Sequence, residues 1–148
     1  MRKLIITLAF IAAGYGADAQ SKLKEYATEL KKGIASFYHD KFEGRKTANG
    51  EIFDNDKYTA ACNTLKLGSY VKVTNESNGE VCYVKINDRM AAHNTRLIDL
   101  AHIAAKKLDF EHQGLTKVKV EVVSAEEGKK AILAQIENEN GKAGNSTL

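Results

Sequence analysis

The most constraining stretch of this chain is SYVKVTNESNGEVCYVKIND, residues 69–88. Val71 and Val73 share one side of the first run, and Cys82, Val84, Ile86 and Asp88 alternate along the second. An apolar residue at every second position marks a strand with one buried face. Asn78-Gly79 separates the two runs, and both residues tolerate the left-handed backbone of tight turns. The stretch is predicted to be a β-hairpin. A hairpin alone is marginal in water, so the rest of the chain has to cover its apolar face.

Three further segments read as strands: IASFY (34–38), KYTAAC (57–62) and the strictly alternating KVKVEVV (117–123). Between 97 and 110, LIDLAHIAAKKLDF puts Leu100, Ile103, Ala104 and Leu108 on one helical face, with Asp99 as the expected N-cap. Residues 20–32 read as an amphipathic lead-in, with Leu23, Tyr26 and Leu30 at helical spacing. After Ser124 a weak helix is expected around Ile132, Leu133 and Ile136, followed by a disordered polar tail. Short strands with one inserted helix predict a mainly β fold, a small closed barrel spanning 33–124 that leaves no strand edge open.

The first 19 residues read as a signal peptide: a basic start at Arg2 and Lys3, an apolar run from Leu4 to Ala13, and Ala17-Asp18-Ala19 as the cleavage pattern. The apolar run is about ten residues, too short for a membrane span of about 20. The mature chain is expected to begin near Gln20 and to be periplasmic or extracellular, without a lipid or membrane anchor. A net charge of +3 and the lack of a basic stripe interleaved with aromatics argue against nucleic acid as a partner. Two cysteines are too few for a disulfide scaffold, although export would permit one bridge.

No phosphate loop, paired-histidine motif or CxxC occurs, so neither cofactor nor metal is expected. What stands out is polar residues at strand ends and turns: Glu51 and Asp54 after the Asn49-Gly50 turn, Cys62, and Asp88. A carboxyl group just past an apolar run can be half-desolvated, which suits it to acid catalysis; Asn87-Asp88 also suits a plain turn. Cys62 stays open between nucleophile, half of a bridge to Cys82, space-filler and replacement for another residue. Along a straight strand Cys82 lies roughly 20 Å from Asp88, which separates it from any pocket built on Asp88.

Four motifs carry a resemblance: Gly-Arg-x-Thr-Ala-Asn-Gly-Glu-x-Phe-Asp at 44–54, Tyr-Thr-Ala-Ala at 58–61, Val-Thr-Asn-x-x-Asn-Gly at 73–79 and Asn-Asp-Arg at 87–89. From Gly33 to about Val123 the chain resembles the rare lipoprotein A family, whose domain is a six-stranded double-psi β-barrel related to expansins and barwin-like proteins. The resemblance implies an endolytic peptidoglycan transglycosylase that cuts glycan strands to 1,6-anhydro-muramyl ends, with cell-division or cell-wall proteins as further partners. It assigns Asp88 as the catalytic acid and Glu51, Asp54 and Cys62 to the pocket with it; Arg89 and Tyr38 are expected to line the same substrate pocket. Glu51 and Asp54 would then raise the affinity of Asp88 for its proton, or bind sugar hydroxyls. Tyr38, Phe37 and Phe53 would offer rings to pyranose faces.

Three departures accompany the resemblance. Relatives commonly carry histidine where this chain has Cys62, and His93 is the candidate to supply the missing imidazole. The usual Asp-Arg-Gly-Pro-aromatic run reads Asp88-Arg89-Met90-Ala91-Ala92 here. A lipid-attachment cysteine and a C-terminal murein-binding repeat are not recognisable. These departures keep a second reading open, a non-catalytic glycan-binding module like the expansin barrels.

Overall fold

The 69–88 hairpin forms as its alternation requires. In a computed structural model, which describes residues 30–145, β3 (Tyr70–Asn75) and β4 (Val81–Asp88) pair antiparallel from Tyr70 opposite Lys85 to Thr74 opposite Val81. Gly79 takes a φ of +78° in the connecting turn, a conformation that costs glycine nothing. Val71, Val73, Cys82, Val84 and Ile86 all point inward and are fully buried.

The remaining strands are β1 (Leu30–Phe37), β2 (Thr59–Ala61), β5 (Ile98–Leu100) and β6 (Thr116–Val123). They close a barrel in the order β1-β5-β2-β4-β3-β6. Two of its contacts, β1 with β5 and β2 with β4, are parallel, and the rest are antiparallel. Parallel neighbours need long crossovers. Here those connections run through other strands of the barrel, whereas the link from β5 to β6 carries helix α1 (His102–Lys107), whose Ala104 and Ala105 pack with Leu108 and Phe110 on the barrel core. Asn75 ties this connection down from the buried end of β3: its Nδ2 donates to Leu108 O at 2.9 Å, while its Oδ1 accepts from Ser77 N and Thr116 Oγ1.

The structure corrects three local expectations. Residues 98–100 form a strand, not the first turn of a helix, and Asp99 is no N-cap. Helix α1 is preceded by Ala101, with no side-chain cap from it, and Asn55 serves its first N–H groups instead, through Oδ1 to His102 N and O to Ile103 N. A three-residue buried strand has too few positions to display a period, so the helical pattern beyond it absorbed it. Second, Leu30, Lys31 and Lys32 belong to β1, where pairing with Glu121, Val120 and Lys119 overrides their helical spacing. The expected signal peptide and the lead-in before residue 30 lie outside the described residues.

Third, the C-terminal segment is a single helix, α2 (Ala125–Asn145), rather than a short helix with a loose tail. It lies on the outside of β3 and β4. β2 is so short that Tyr83 on β4 has no neighbouring strand on that side. The carboxamide of Gln135 takes the place of one, accepting from Tyr83 N at 2.7 Å and donating to Tyr83 O at 3.0 Å. Glu139 accepts from the Tyr58 hydroxyl at 2.5 Å. Gly128 permits the close approach, since a Cβ there would sit 2.3 Å from Tyr70 Cβ. Ile132 packs on the core, whereas Leu133 and Ile136 face solvent. Among the described residues no helix is long and apolar enough to cross a membrane.

Candidate active site

Strand β4 ends in a bulge against β2: Ala60 lies opposite Ile86, but Ala61 lies opposite Asp88, leaving Asn87 as the extra residue. Bulges of this kind re-aim side chains. Asn87 is buried and bonds to Glu51, whereas Asp88 opens into a groove of about 550 Å³ between β1, the Gly44–Asp54 turn and the loop after β4. That turn is a tight excursion, held by Thr47 N to Glu51 O at 2.8 Å and Phe53 N to Arg45 O at 2.7 Å. Its tip reaches β4 through Asn49 N to Asn87 O, which brings Ala48 N to the aspartate.

Asp88 accepts three hydrogen bonds. Tyr38 Oη donates to Oδ2 at 2.6 Å, and the backbone N–H groups of Ala48 (2.9 Å) and Arg89 (2.8 Å) donate to Oδ1. Burial first, then the hydrogen bond and charge of Asp88 and the charge of Asp99, push the Tyr38 phenol above its ordinary range, so it remains a neutral donor. The Tyr38 ring meets Phe53 edge-on at 4.3 Å and Phe42 at 5.6 Å. Lys41 and Arg45 each lie over the Phe42 ring at 5.3 Å, forming a basic, aromatic-backed wall.

A second carboxylate shares the groove. Ala61 is opposite Asp88 in one ladder and opposite Asp99 in the other, so the two aspartates stand two strand spacings apart, roughly 10 Å at Cα. Asp99 accepts from Ser36 Oγ at 2.7 Å and binds Arg96 bidentately, Nε at 2.9 Å and the terminal nitrogen at 3.0 Å. The hydrogen bond to Asp99 leads the causes that raise the Arg96 guanidinium above its usual value. Sequence reasoning missed this residue because it treated 97–110 as one helix. It missed His39 too, the imidazole that does line the groove, although the signal was its place directly after Tyr38.

The other assigned pocket residues lie elsewhere or act differently. Glu51 and Asp54 line a separate depression of about 350 Å³ with Lys57, Thr59 and Asn87. Glu51 bonds Lys85 Nζ at 2.6 Å, and that bond, more than those from Asn87 and Asn49, holds its carboxyl below the usual range. Asp54 caps Asp56 N at 2.8 Å. The expected like-charge pressure of these two acids on Asp88 is therefore corrected: the residue beside Asp88 in the chain, Asn87, carries the Glu51 contact to the other side of the strand.

Cys62 is corrected as well. Its N–H donates to Asp88 O at 3.1 Å, but its side chain is fully buried in the core, with Sγ 3.5 Å from Thr64 Oγ1. Cys62 and Cys82 are both free, and burial pushes the Cys82 thiol up, which keeps it inert. Arg89 lines the groove, yet its guanidinium donates to the backbone carbonyls of Cys62 and Leu65 (2.6 Å to the latter) and so holds the turn after β2. Phe53 is buried and lines the groove edge-on to Tyr38, and His93 is exposed outside the groove lining. Among the described residues no cluster of three or more histidine, cysteine or acidic side chains could hold a metal.

The family model for lytic transglycolases, a double-psi β-barrel, matches residues 30–120. The chain belongs to this family. It is 41% identical over 109 residues to the endolytic peptidoglycan transglycosylase RlpA of Haemophilus influenzae, covering 74% of this chain and 37% of that protein. The protein of the same name from Pasteurella multocida is 46% identical over 114 residues, covering 77% and 38%. The chain thus spans less than two-fifths of the length of these relatives. Among solved structures, an apo expansin of Clavibacter michiganensis superposes with a TM-score of 0.52 at 18% identity, covering 65% of this chain and 51% of that one. A Streptomyces papain inhibitor gives 0.51 at 22%, covering 64% and 94%. Those two likenesses bear on the fold, an RlpA-like double-psi barrel of six strands.

Proposed function

We propose that the protein is an endolytic peptidoglycan transglycosylase with Asp88 as its single acid–base group. The observation that supports this most is the asymmetry of the two carboxylates in the groove. Asp88 is reachable and held by donors alone, while Asp99 is neutralised by a bidentate arginine. Hydrolysis of a glycosidic bond uses two carboxyl groups, one as acid and one to activate water or attack carbon. Lytic cleavage needs one. Protonated Asp88 gives its proton to the glycosidic oxygen as the bond to the muramyl C1 breaks; the C6 hydroxyl closes on C1 and returns its proton to the carboxylate. The names carried by the similar relatives agree with this reading.

Export belongs to the same proposal, since intact glycan strands lie outside the cytoplasm; N-terminal sequencing of secreted protein, expected to begin near Gln20, tests it. Cell-division or cell-wall proteins are the partners this role implies. The activity is tested by digesting purified sacculi and scoring 1,6-anhydro-muramyl ends by mass spectrometry. Wild-type protein is expected to release them and Asp88→Asn to fall by at least about 10³-fold, within the range of lost acid catalysis. Equal product from both proteins sinks the assignment. Absence of product with retained co-sedimentation supports the glycan-binding alternative instead.

A further inference from the structure

Tyr38 and Asp88 meet from strand ends 50 residues apart, hydroxyl to Oδ2 at 2.6 Å. The other carboxyl oxygen, Oδ1, is occupied by the backbone N–H groups of Ala48 and Arg89. Backbone N–H groups only donate, so a proton on this carboxyl has to reside on Oδ2. A carboxyl oxygen that carries the proton still has one lone pair with which to accept from the phenol. We propose that Oδ2 is the oxygen from which Asp88 delivers its proton, and that Tyr38 is a positioning residue that donates to the remaining lone pair of Oδ2 in the acid and in the carboxylate, leaving the acid proton directed at the substrate. This rests on the transglycosylase reading above.

The consequence is a hydrogen bond that strengthens as the reaction proceeds. While Asp88 is protonated, Tyr38 shares a neutral contact with it. As the proton leaves Oδ2 for the glycosidic oxygen, the phenol hydrogen already on Oδ2 meets a developing carboxylate. Hydrogen bonds to an ionised acceptor are about twice as strong as neutral ones, so the transition state gains more than the ground state. When the C6 hydroxyl returns a proton to Oδ2, the original contact is restored. Tyr38 keeps its proton throughout, in line with the upward displacement of its phenol by burial and by Asp88. Its ring is braced by Phe53 and Phe42, which fixes the hydroxyl's aim.

The charged groups that share the groove are His39 and Lys41 after β1, Arg45 and Lys46 on the turn, Arg89 after β4, and the Arg96–Asp99 pair. His39 is the histidine among them, so its contribution is removed with a His39→Gln background. In that background Tyr38→Phe is expected to lower kcat roughly 10- to 100-fold with little change in KM. The phenyl ring remains, so a sugar-stacking role for Tyr38 would leave kcat intact. Loss of a donor to the carboxylate also moves the high-pH fall in activity upward, a displacement that a packing role would not produce.

A substrate-free measurement separates this proposal from the activity it rests on. The carboxyl carbon of Asp88 is followed by 13C NMR during pH titration in His39→Gln and in His39→Gln/Tyr38→Phe. A higher midpoint in the second protein supports the pairing even if sacculi yield no anhydro ends. Superimposable titrations overturn it, as does a Tyr38→Phe protein with unchanged kcat and pH profile.

Discussion

Replacing Asp99 by asparagine separates the two carboxylates of the groove by role. The Asp99 side chain is mostly buried, and it accepts three charge-assisted hydrogen bonds, one from Ser36 and two from Arg96. Asparagine keeps one acceptor oxygen and turns an amide toward a guanidinium that can no longer be matched. Hydrogen bonds to charged groups contribute about 1.5–3 kcal/mol each, and a fully buried orphan charge would cost more. Arg96 is 38% exposed on its side chain, however, and can rehydrate. The net cost is therefore about 2 kcal/mol, a fall in Tm of roughly 5–10 °C for a domain of this size. Calorimetry measures it directly. In the sacculus assay, below its new Tm, Asp99→Asn is expected to keep 1,6-anhydro ends as the product with less than about a tenfold rate loss, because Asp99 only braces the groove. A loss as deep as that of Asp88→Asn, with Tm unchanged, would show that Asp99 takes part in the chemistry and would refute the single-acid argument.

Two further outcomes follow from the contacts around the barrel. Gln135→Ala removes the carboxamide that completes the β4 edge, leaving Tyr83 N and O without it; hydrogen exchange at Tyr83 should accelerate, and stability should drop by about 1–3 kcal/mol. Unchanged exchange there would mean that α2 does not guard the edge. The Glu51–Lys85 pair makes a pH prediction. Because the folded carboxyl of Glu51 titrates below its unfolded value of about 4.3, its contribution to stability is present above that pH and is lost as pH falls through the lowered folded value. Denaturant titrations of Glu51→Gln should show a shallower stability loss between pH 5 and 3, on the order of the acid range of carboxylates. Parallel curves for the two proteins contradict the pairing.

Some of this architecture was legible because its signal is local. The hairpin at 69–88 and strand β6 alternate over enough residues for the period to be counted, and Asn78-Gly79 names its own turn. The placement of Asp88 at the end of an apolar strand marked it as a carboxyl group at a rim. β5 was not legible, since Ile98–Leu100 has three residues and all are buried by strands far away in the chain. Glu51 and Asp54 were grouped with Asp88 by motif, yet a strand sends consecutive residues to opposite sides, so Asn87 took the Glu51 contact away from the groove. Cys62 followed the same logic: the bulge at Ala60/Ala61 leaves its N–H on Asp88 and its sulfur in the core.

By itself, then, the order of residues determined which segments are extended, where the chain turns and that one carboxyl group ends an apolar strand. Those are properties of neighbours within a few positions, governed by side-chain period and backbone freedom. Only the closed barrel decided which polar groups meet. Tyr38 reaches Asp88, Asp99 is matched to Arg96 beside Ser36, and Gln135 completes an edge 52 residues away, because barrel closure brings β1, β4 and β5 to one rim and lays α2 across the gap left by β2. Such distances in sequence carry no local periodicity, so the pairing that makes the groove exists only in three dimensions.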